Sequence, residues 1–325
     1  MKNQKRNYFS SLIFIWLLIF VSIIFSPVSL NLKIEKQESS FKTSNYWIIY
    51  NQIHIKNNWS ESEAIYDFIT GSGTFSDPYK IENITFNNHK NSGDAIIIEN
   101  SLDYFMIRNC TIKNSGTIIT DSEITIINST KGTLMNNTIS SNMGYGIHLV
   151  ESYNNLILEN KIYNNTYIGI GLNESDNNII NLNKVYYHGR EAINGFGIVL
   201  LNSHKNNISQ NVASHNTAIG ILLYNSSYNN VTINKANNNY LGLQLSQNSN
   251  YNNVIGNDLK GNNYCYTVDD DSEGNNIEGN DCGAVGFEYY FFLVSFGVVF
   301  ALTLIGLIIV IRKRRKFKKE KNELN

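Results

Sequence analysis

Residues 152–160 read SYNNLILEN. The pattern returns as SDNNIINLN at 175–183, SHKNNISQN at 203–211, SSYNNVTIN at 226–234 and SNYNNVIGN at 249–257. In every copy a Ser stands eight positions before an Asn. Taken as a phase marker, the Ser recurs as Ser101, Ser129, Ser152, Ser175, Ser203, Ser226, Ser249 and Ser272, at intervals of 28, 23, 23, 28, 23, 23 and 23 residues. Its partners are Asn109, Asn137, Asn160, Asn183, Asn211, Asn234, Asn257 and Asn280.

Other positions keep the same phase. Apolar pairs two positions apart precede each Ser, from Ile96 and Ile98 through Ile147 and Leu149 to Tyr266 and Val268. A further apolar residue follows five positions after it, as in Leu134, Ile157 and Ile180. Alternation at period two is the signature of strands. Three short apolar stretches every 23 residues, with no helical spacing, predict an all-β parallel β-helix, a solenoid of about eight to ten coils. A leucine-rich repeat would need an L-x-x-L-x-L pattern, which is absent. The Asn falls between the second and third apolar stretches, where the coil must bend. Asn tolerates left-handed backbone, and its amide carries donors and acceptors, so the eight Asn residues are expected to form a structural ladder along the stack.

Both ends carry membrane signals. Lys2, Lys5 and Arg6 precede the apolar run SLIFIWLLIFVSIIF at 11–25, the make-up of a signal peptide or signal-anchor spanning residues 1–30. From Tyr289 to Ile311 the chain has no charge, and RKRRKFKK follows at once. That length spans a bilayer, and the basic flank suits the cytoplasmic side. The expected order is a cap region at 31–80, a repeat domain at 81–285, a transmembrane helix at 286–311 and a basic cytoplasmic tail at 312–325. The repeat domain would then face the cell exterior. In the cap, WSESEAIYDFITGSG at 59–73 suggests a helical lid, with Ser60 and Glu63 as a capping box and Ala64, Ile65, Phe68 and Ile69 as its apolar face.

The chain has 325 residues and a formal net charge of −1, so bulk charge points to no nucleic-acid partner. Its three cysteines, Cys110, Cys265 and Cys282, do not make a disulfide framework or a zinc site.

The run GSGTFSDPYKIENITF, then IIIENSLDYFMIRNCTI, then the iterated GIxLxxSxxNN(I/V)xxxN resembles right-handed β-helix proteins of the periplasmic copper-binding NosD-like family, a repeat type common in archaeal surface proteins. The resemblance covers residues 45–283. It implies a right-handed parallel β-helix, and its wider group includes carbohydrate-binding and sugar-hydrolysing members. The family name implies copper, yet His54, His89, His148, His188, His204 and His215 share no coil phase, and no family metal motif can be placed here. No metal and no cofactor are expected.

Catalysis on a sugar polymer would need converging carboxylates. The positions expected to face outward from the first strand are Ile97, Thr125, His148, Gly171, Val199, Leu222, Gln244 and Thr267, with no acid, Lys or Arg among them. The two long coils place their extra residues in one turn, at 114–123 and 186–195. The second excursion carries Tyr186, Tyr187, His188, Arg190 and Glu191, a mixture of rings and charges suited to a sugar or peptide. The reading is therefore a membrane-anchored surface β-helix with a binding or structural role, its partners being the membrane and cell-envelope glycan or surface proteins. The alternatives are a polysaccharide lyase or hydrolase and a copper-delivery accessory protein.

Overall fold

The computed structural model describes residues 40–43, 46–87, 93–189 and 193–283. The terminal apolar runs, the basic tail, His89, Arg190 and Glu191 lie outside the described residues. Among the described residues no helix is long and apolar enough to cross a membrane.

A regular coil lays down one strand in each of three sheets, although beyond Val212–Ser214 the third strand shrinks to isolated bridges at Lys235, Asp258 and Asp281. Tyr145–Val150, Leu156–Leu158 and Lys161–Tyr163 make one such coil. Their counterparts one coil on are Ile168–Asn173, Ile179–Asn181 and Lys184–Tyr186, paired in parallel. Among the described residues the sheets hold nine, ten and eight strands respectively. The molecule is an all-β parallel solenoid of about 8 turns with a period of about 23.

Like residues stack. Ile147 pairs with Ile170, and Ile170 with Ile198. Each sheet sends such a column into the interior, where Leu149, Ile157 and Ile162 are fully buried. Burying one such side chain contributes about 1.5–3 kcal/mol, and no coil could bury its own without neighbours.

The corners follow a rule that differs from the expected one. Glu151, Asn154, Glu159 and Asn164 all have φ near +50°, at 49°, 55°, 54° and 55°. Each directly precedes a buried polar residue: Ser152, Asn155, Asn160 or Asn165. The Asn that spans the coils is thus not the left-handed residue; its predecessor is. Asn160 shows the wiring. Its backbone N–H donates to Asn183 Oδ1 at 2.9 Å, and its Nδ2 donates to Leu134 O at 2.8 Å. Its Oδ1 accepts the backbone N–H of Asn137 at 3.0 Å. Ser152 does the same with a hydroxyl, donating its N–H to Ser175 Oγ at 3.0 Å.

Asn109 departs from this scheme. It is exposed at φ 53°, and Cys110 takes the rung, donating its N–H to Asn137 Oδ1 at 3.0 Å. The cause is one extra residue in that coil: Phe105, four after Ser101, pairs with Gly132, three after Ser129. Asn280 ends the ladder, donating to Val254 O at 2.8 Å.

The N-terminal cap also differs. The helix Trp59–Ile65 starts at Asn58 without a side-chain cap bond, and it buries Trp59 and Ser62, while Ile65 is 69% exposed. The helix stops at Tyr66, which is extended, so Phe68 and Ile69 reach the core from non-helical backbone. Trp59 stacks on Tyr79 at 5.1 Å and donates Nε1–H to Ser101 Oγ at 2.8 Å, closing the Ser ladder. Strand pairing begins before residue 81, since Ile53–Lys56 already pairs in parallel with Ile96–Glu99. At the other end Cys265 and Cys282 form a disulfide, a pairing the cysteine count did not suggest. Cys110 is free and buried, its thiol pushed up to about 12 by desolvation.

Two opposite substitutions separate the roles of adjacent positions. Asn183→Ala strands the N–H of Asn160 and takes the Nδ2 donor from the carbonyl of Ile157, and should cost about 1–3 kcal/mol per group left unsatisfied. Ile233, at φ 56° and 65% exposed, occupies a corner where later coils carry Gly256 and Gly279. Ile233→Gly should stabilise by about 1 kcal/mol, because the left-handed strain on a β-branched residue is removed. Thermal melts of the two variants check both signs.

Candidate functional site

The eight-stranded sheet positions the clearest cluster of exposed chemistry. In Lys161–Tyr163 and Lys184–Tyr186 the middle residues, Ile162 and Val185, point into the core. Period two then sends Lys161, Tyr163, Lys184 and Tyr186 outward. The parallel register puts Lys161 beside Lys184 and Tyr163 beside Tyr186. The two rings stack at 5.6 Å with an 11° interplanar angle. Lys161 Nζ lies 5.1 Å from the centre of the Tyr163 ring. Tyr187, left-handed at φ 59° and 52% exposed, stands edge-on to Tyr186 at 5.2 Å and tilts against His215 at 5.2 Å.

Two like charges facing each other across a ladder are unfavourable. Neither Lys161 nor Lys184 has an ion pair among the described residues. Tyr163 and Tyr186 are half-buried, and Tyr187 is exposed. Together they form a small cationic surface with aromatic and hydroxyl contacts, suited to an anionic, hydroxyl-bearing ligand.

The structure splits the residues that the sequence grouped. Tyr186 and Tyr187 belong to this surface, and Arg190 and Glu191 lie outside the described residues. His188 is buried. It fills an Asn rung: Asn165 N–H donates to its Nδ1 at 3.2 Å, and its own N–H donates to Asn216 Oδ1 at 3.2 Å. The extra residues of that coil therefore follow His188, between Gly189 and Gly195. Sequence reasoning missed Lys161, Tyr163, Lys184 and His215. The recurrence of K-x-Y at one coil phase was the signal for the first three.

The outer side of the nine-stranded sheet is not the open stripe expected. His148, Val199, Leu222 and Gln244 are buried, at 6%, 2%, 2% and 2% exposure. Tyr145 and Phe196 are buried with Val199 and Leu222 in one grouping. Tyr145 lies flat against His148 at 4.1 Å, and Tyr145, Tyr167 and Phe196 meet edge to face at 5.8 and 5.9 Å. A second apolar cluster forms there.

Three acids without phase pin the first long excursion. Asp121 Oδ2 accepts the N–H groups of Thr117 at 2.8 Å and Ile118 at 3.2 Å. Asp94 accepts from Ser122 N–H at 2.5 Å and Thr125 Oγ at 2.8 Å. Glu123 accepts from Ser115 Oγ at 2.7 Å. Desolvation raises the Asp94 carboxyl to about 6 and that of Glu123 to about 8. Among the described residues no group of three or more His, Cys, Asp or Glu side chains is placed to hold a metal ion.

Residues 40–194 and 124–282 match the right handed beta helix region family. The chain belongs to this family. Among solved β-helix structures it is similar to the periplasmic alginate epimerase AlgG, at 18% identity and a TM-score of 0.53, covering 62% of this chain and 50% of that one. It is also similar to the Dettilon tailspike protein, at 13% identity and a TM-score of 0.51, covering 73% of this chain and 54% of that one. The chain thus spans about half the length of the structures it matches, and at such identities the likeness shows the fold. No curated protein matches.

The buried acid makes β-helix stability depend on pH. Glu123 titrates near 8 when folded, against 4.5 ordinarily. Its contribution is fully present below 4.5, where both states are protonated, and is lost as pH rises to about 8. Burial lowers His188 to about 4, so its contribution runs the other way, lost as pH falls from 6.5 to about 4. Glu123→Gln should melt higher than the parent at pH 8 and close to it at pH 4.5, measured by thermal unfolding across that range.

Proposed function

We propose that the chain is a membrane-anchored, surface-displayed β-helix that binds acidic polysaccharide on the eight-stranded sheet. The observation that carries this reading is the Lys161–Lys184 pair, held side by side without an opposing acid and flanked by Tyr163, Tyr186 and Tyr187. A carboxylate-bearing sugar would relieve that repulsion and accept charge-assisted hydrogen bonds from both amines. Repeating uronates would suit a sheet that repeats every 4.7–4.9 Å or so. The polysaccharide chemistry of the AlgG-type relative is compatible with this, but its likeness extends to the fold alone.

Binding is preferred to the processing and copper-delivery alternatives. The half-buried Asp94 and the buried Asp121 and Glu123 have oxygens engaged by backbone and hydroxyl donors rather than turned toward a substrate. No residue group among those described favours copper. Anchoring rests on the uncharged stretch from Tyr289 to Ile311 and the basic run after it. The Cys265–Cys282 disulfide fits an oxidising, extracytoplasmic compartment.

Full chain in detergent should bind alginate or polygalacturonate, and more weakly as salt rises. Lys184→Ala and Tyr186→Ala should each weaken binding by roughly tenfold, the loss of about one charge-assisted hydrogen bond, with melting unchanged. Equal binding of neutral dextran, or no acidic polymer bound, would refute the reading. Topology has its own check. Protease added to intact cells should remove the β-helix and leave the RKRRK tail protected, and a protected β-helix would contradict surface display.

A further inference from the structure

The N-terminal end of the solenoid carries a concavity, remote in sequence from the lysine surface. It has a volume of about 420 Å³ and is lined by Tyr46, Trp47, Asp67, Phe68, Thr70, Glu82 and Asn83. Three separate pieces of backbone build it. Tyr46–Ile49 is the first strand to enter the eight-stranded sheet in parallel, with Trp47 N–H donating to Asn83 O at 3.1 Å. Glu82 and Asn83 form the corner at which the chain leaves the ten-stranded sheet, Asn83 being left-handed at φ 55°. Asp67, Phe68 and Thr70 come from the segment that follows the cap helix.

The floor is aromatic and fixed. Phe68 is 4% exposed and packs against Trp47 at 6.1 Å and Tyr66 at 5.2 Å. The polar groups are set around this floor. Glu82 is held by Arg108, whose Nε–H donates to it, and Asp67, Thr70 and Tyr46 are exposed. The volume lies within the roughly 300–1,000 Å³ of small-molecule sites, and the lining sets three aromatic side chains among four polar residues.

We propose that this pocket binds an uncharged sugar unit, up to about two rings. Aromatic walls cover the C–H faces of a pyranose, and paired acceptors on Asp67 and Glu82, with Asn83 and Thr70, suit its hydroxyls. The charge pattern sets the class. The exposed Asp67 carboxylate disfavours a uronate, so the selectivity is opposite to that of the lysine surface. A cation gains little, because the Glu82 charge is already matched by Arg108 and Asp67 sits in solvent, where a single ion pair is weak. The proposal does not depend on the acidic-polysaccharide reading.

The test uses full chain in detergent, titrated with maltose, cellobiose and mannobiose, and with galacturonate and glucosamine as charged counterparts. Heat release and tryptophan emission are followed together. At least one neutral disaccharide should bind in the millimolar range or tighter and change the emission through Trp47. Asp67→Ala, an exposed site, should lower that affinity roughly tenfold with the melting temperature unchanged, the loss of about one hydrogen bond. Trp47→Phe should weaken binding severalfold, through the smaller ring left on the wall, and remove most of the emission change. Lys184→Ala should leave disaccharide binding intact while reducing polymer binding, which separates failure of this site from failure of the other. No neutral disaccharide bound, binding insensitive to Asp67→Ala, or tighter binding of galacturonate or glucosamine would each overturn the proposal.

Discussion

The structure depends on one requirement: at every corner a buried backbone N–H must find an acceptor in the next coil. Strands satisfy their own groups through parallel ladders, but the bends between them cannot, and a buried unpaired amide is costly. The chain meets this with a two-residue device. A left-handed residue turns the backbone, and the next side chain points inward, where its oxygen receives the N–H of the preceding coil. In Asn the amide nitrogen also reaches back to a carbonyl, as Asn211 Nδ2 does to Ile180 O at 2.8 Å. Ser serves one corner with a hydroxyl. At a third, His188 accepts through Nδ1 while staying neutral, a state that burial favours.

That requirement explains what could be read from the sequence. Ser152 and Asn160 are chemically constrained in every coil, so their phase shows through an Asn-rich composition. The left-handed residues are constrained in backbone only. Glu159, Leu182, Gln210 and Ile233 share one corner and one φ, and nothing in their side chains announces it. The rungs at Asn155 and Asn165 also repeat coil by coil, the latter with His188 in one place, but are hidden among other asparagines. Asn109 was misread because a single extra residue before Phe105 shifts the rung to Cys110. His188 looked like a loop residue because imidazole is an unusual occupant of an amide slot. Asp94 and Glu123 carry no phase, since each serves one excursion, and the disulfide joins two coils that no spacing motif connects.

Candidate chemistry lies where the requirement is silent. Outward positions of the eight-stranded sheet are free of ladder duty, so Lys161 and Lys184 can hold a repulsive arrangement that the core never feels. Tyr187 combines both demands, making a left-handed corner while exposing its ring. The N-terminal pocket arises for a different reason. There the regular coil meets irregular chain, and the cap helix cannot fill the last layer as another coil would, leaving Trp47 and Phe68 to line a hollow.

The wiring of Asn160 has an evolutionary consequence. What it takes from the coil after it is what it offers the coil before it, so each interface between coils from Asn137 to Asn257 presents the same plug and socket. A segment of 23 residues can be copied or deleted between any two rungs without creating an unmatched surface. The number of turns is therefore a variable open to recombination, whereas the two termini, with Trp59 at one and Cys265–Cys282 at the other, are single-copy parts that such events must spare.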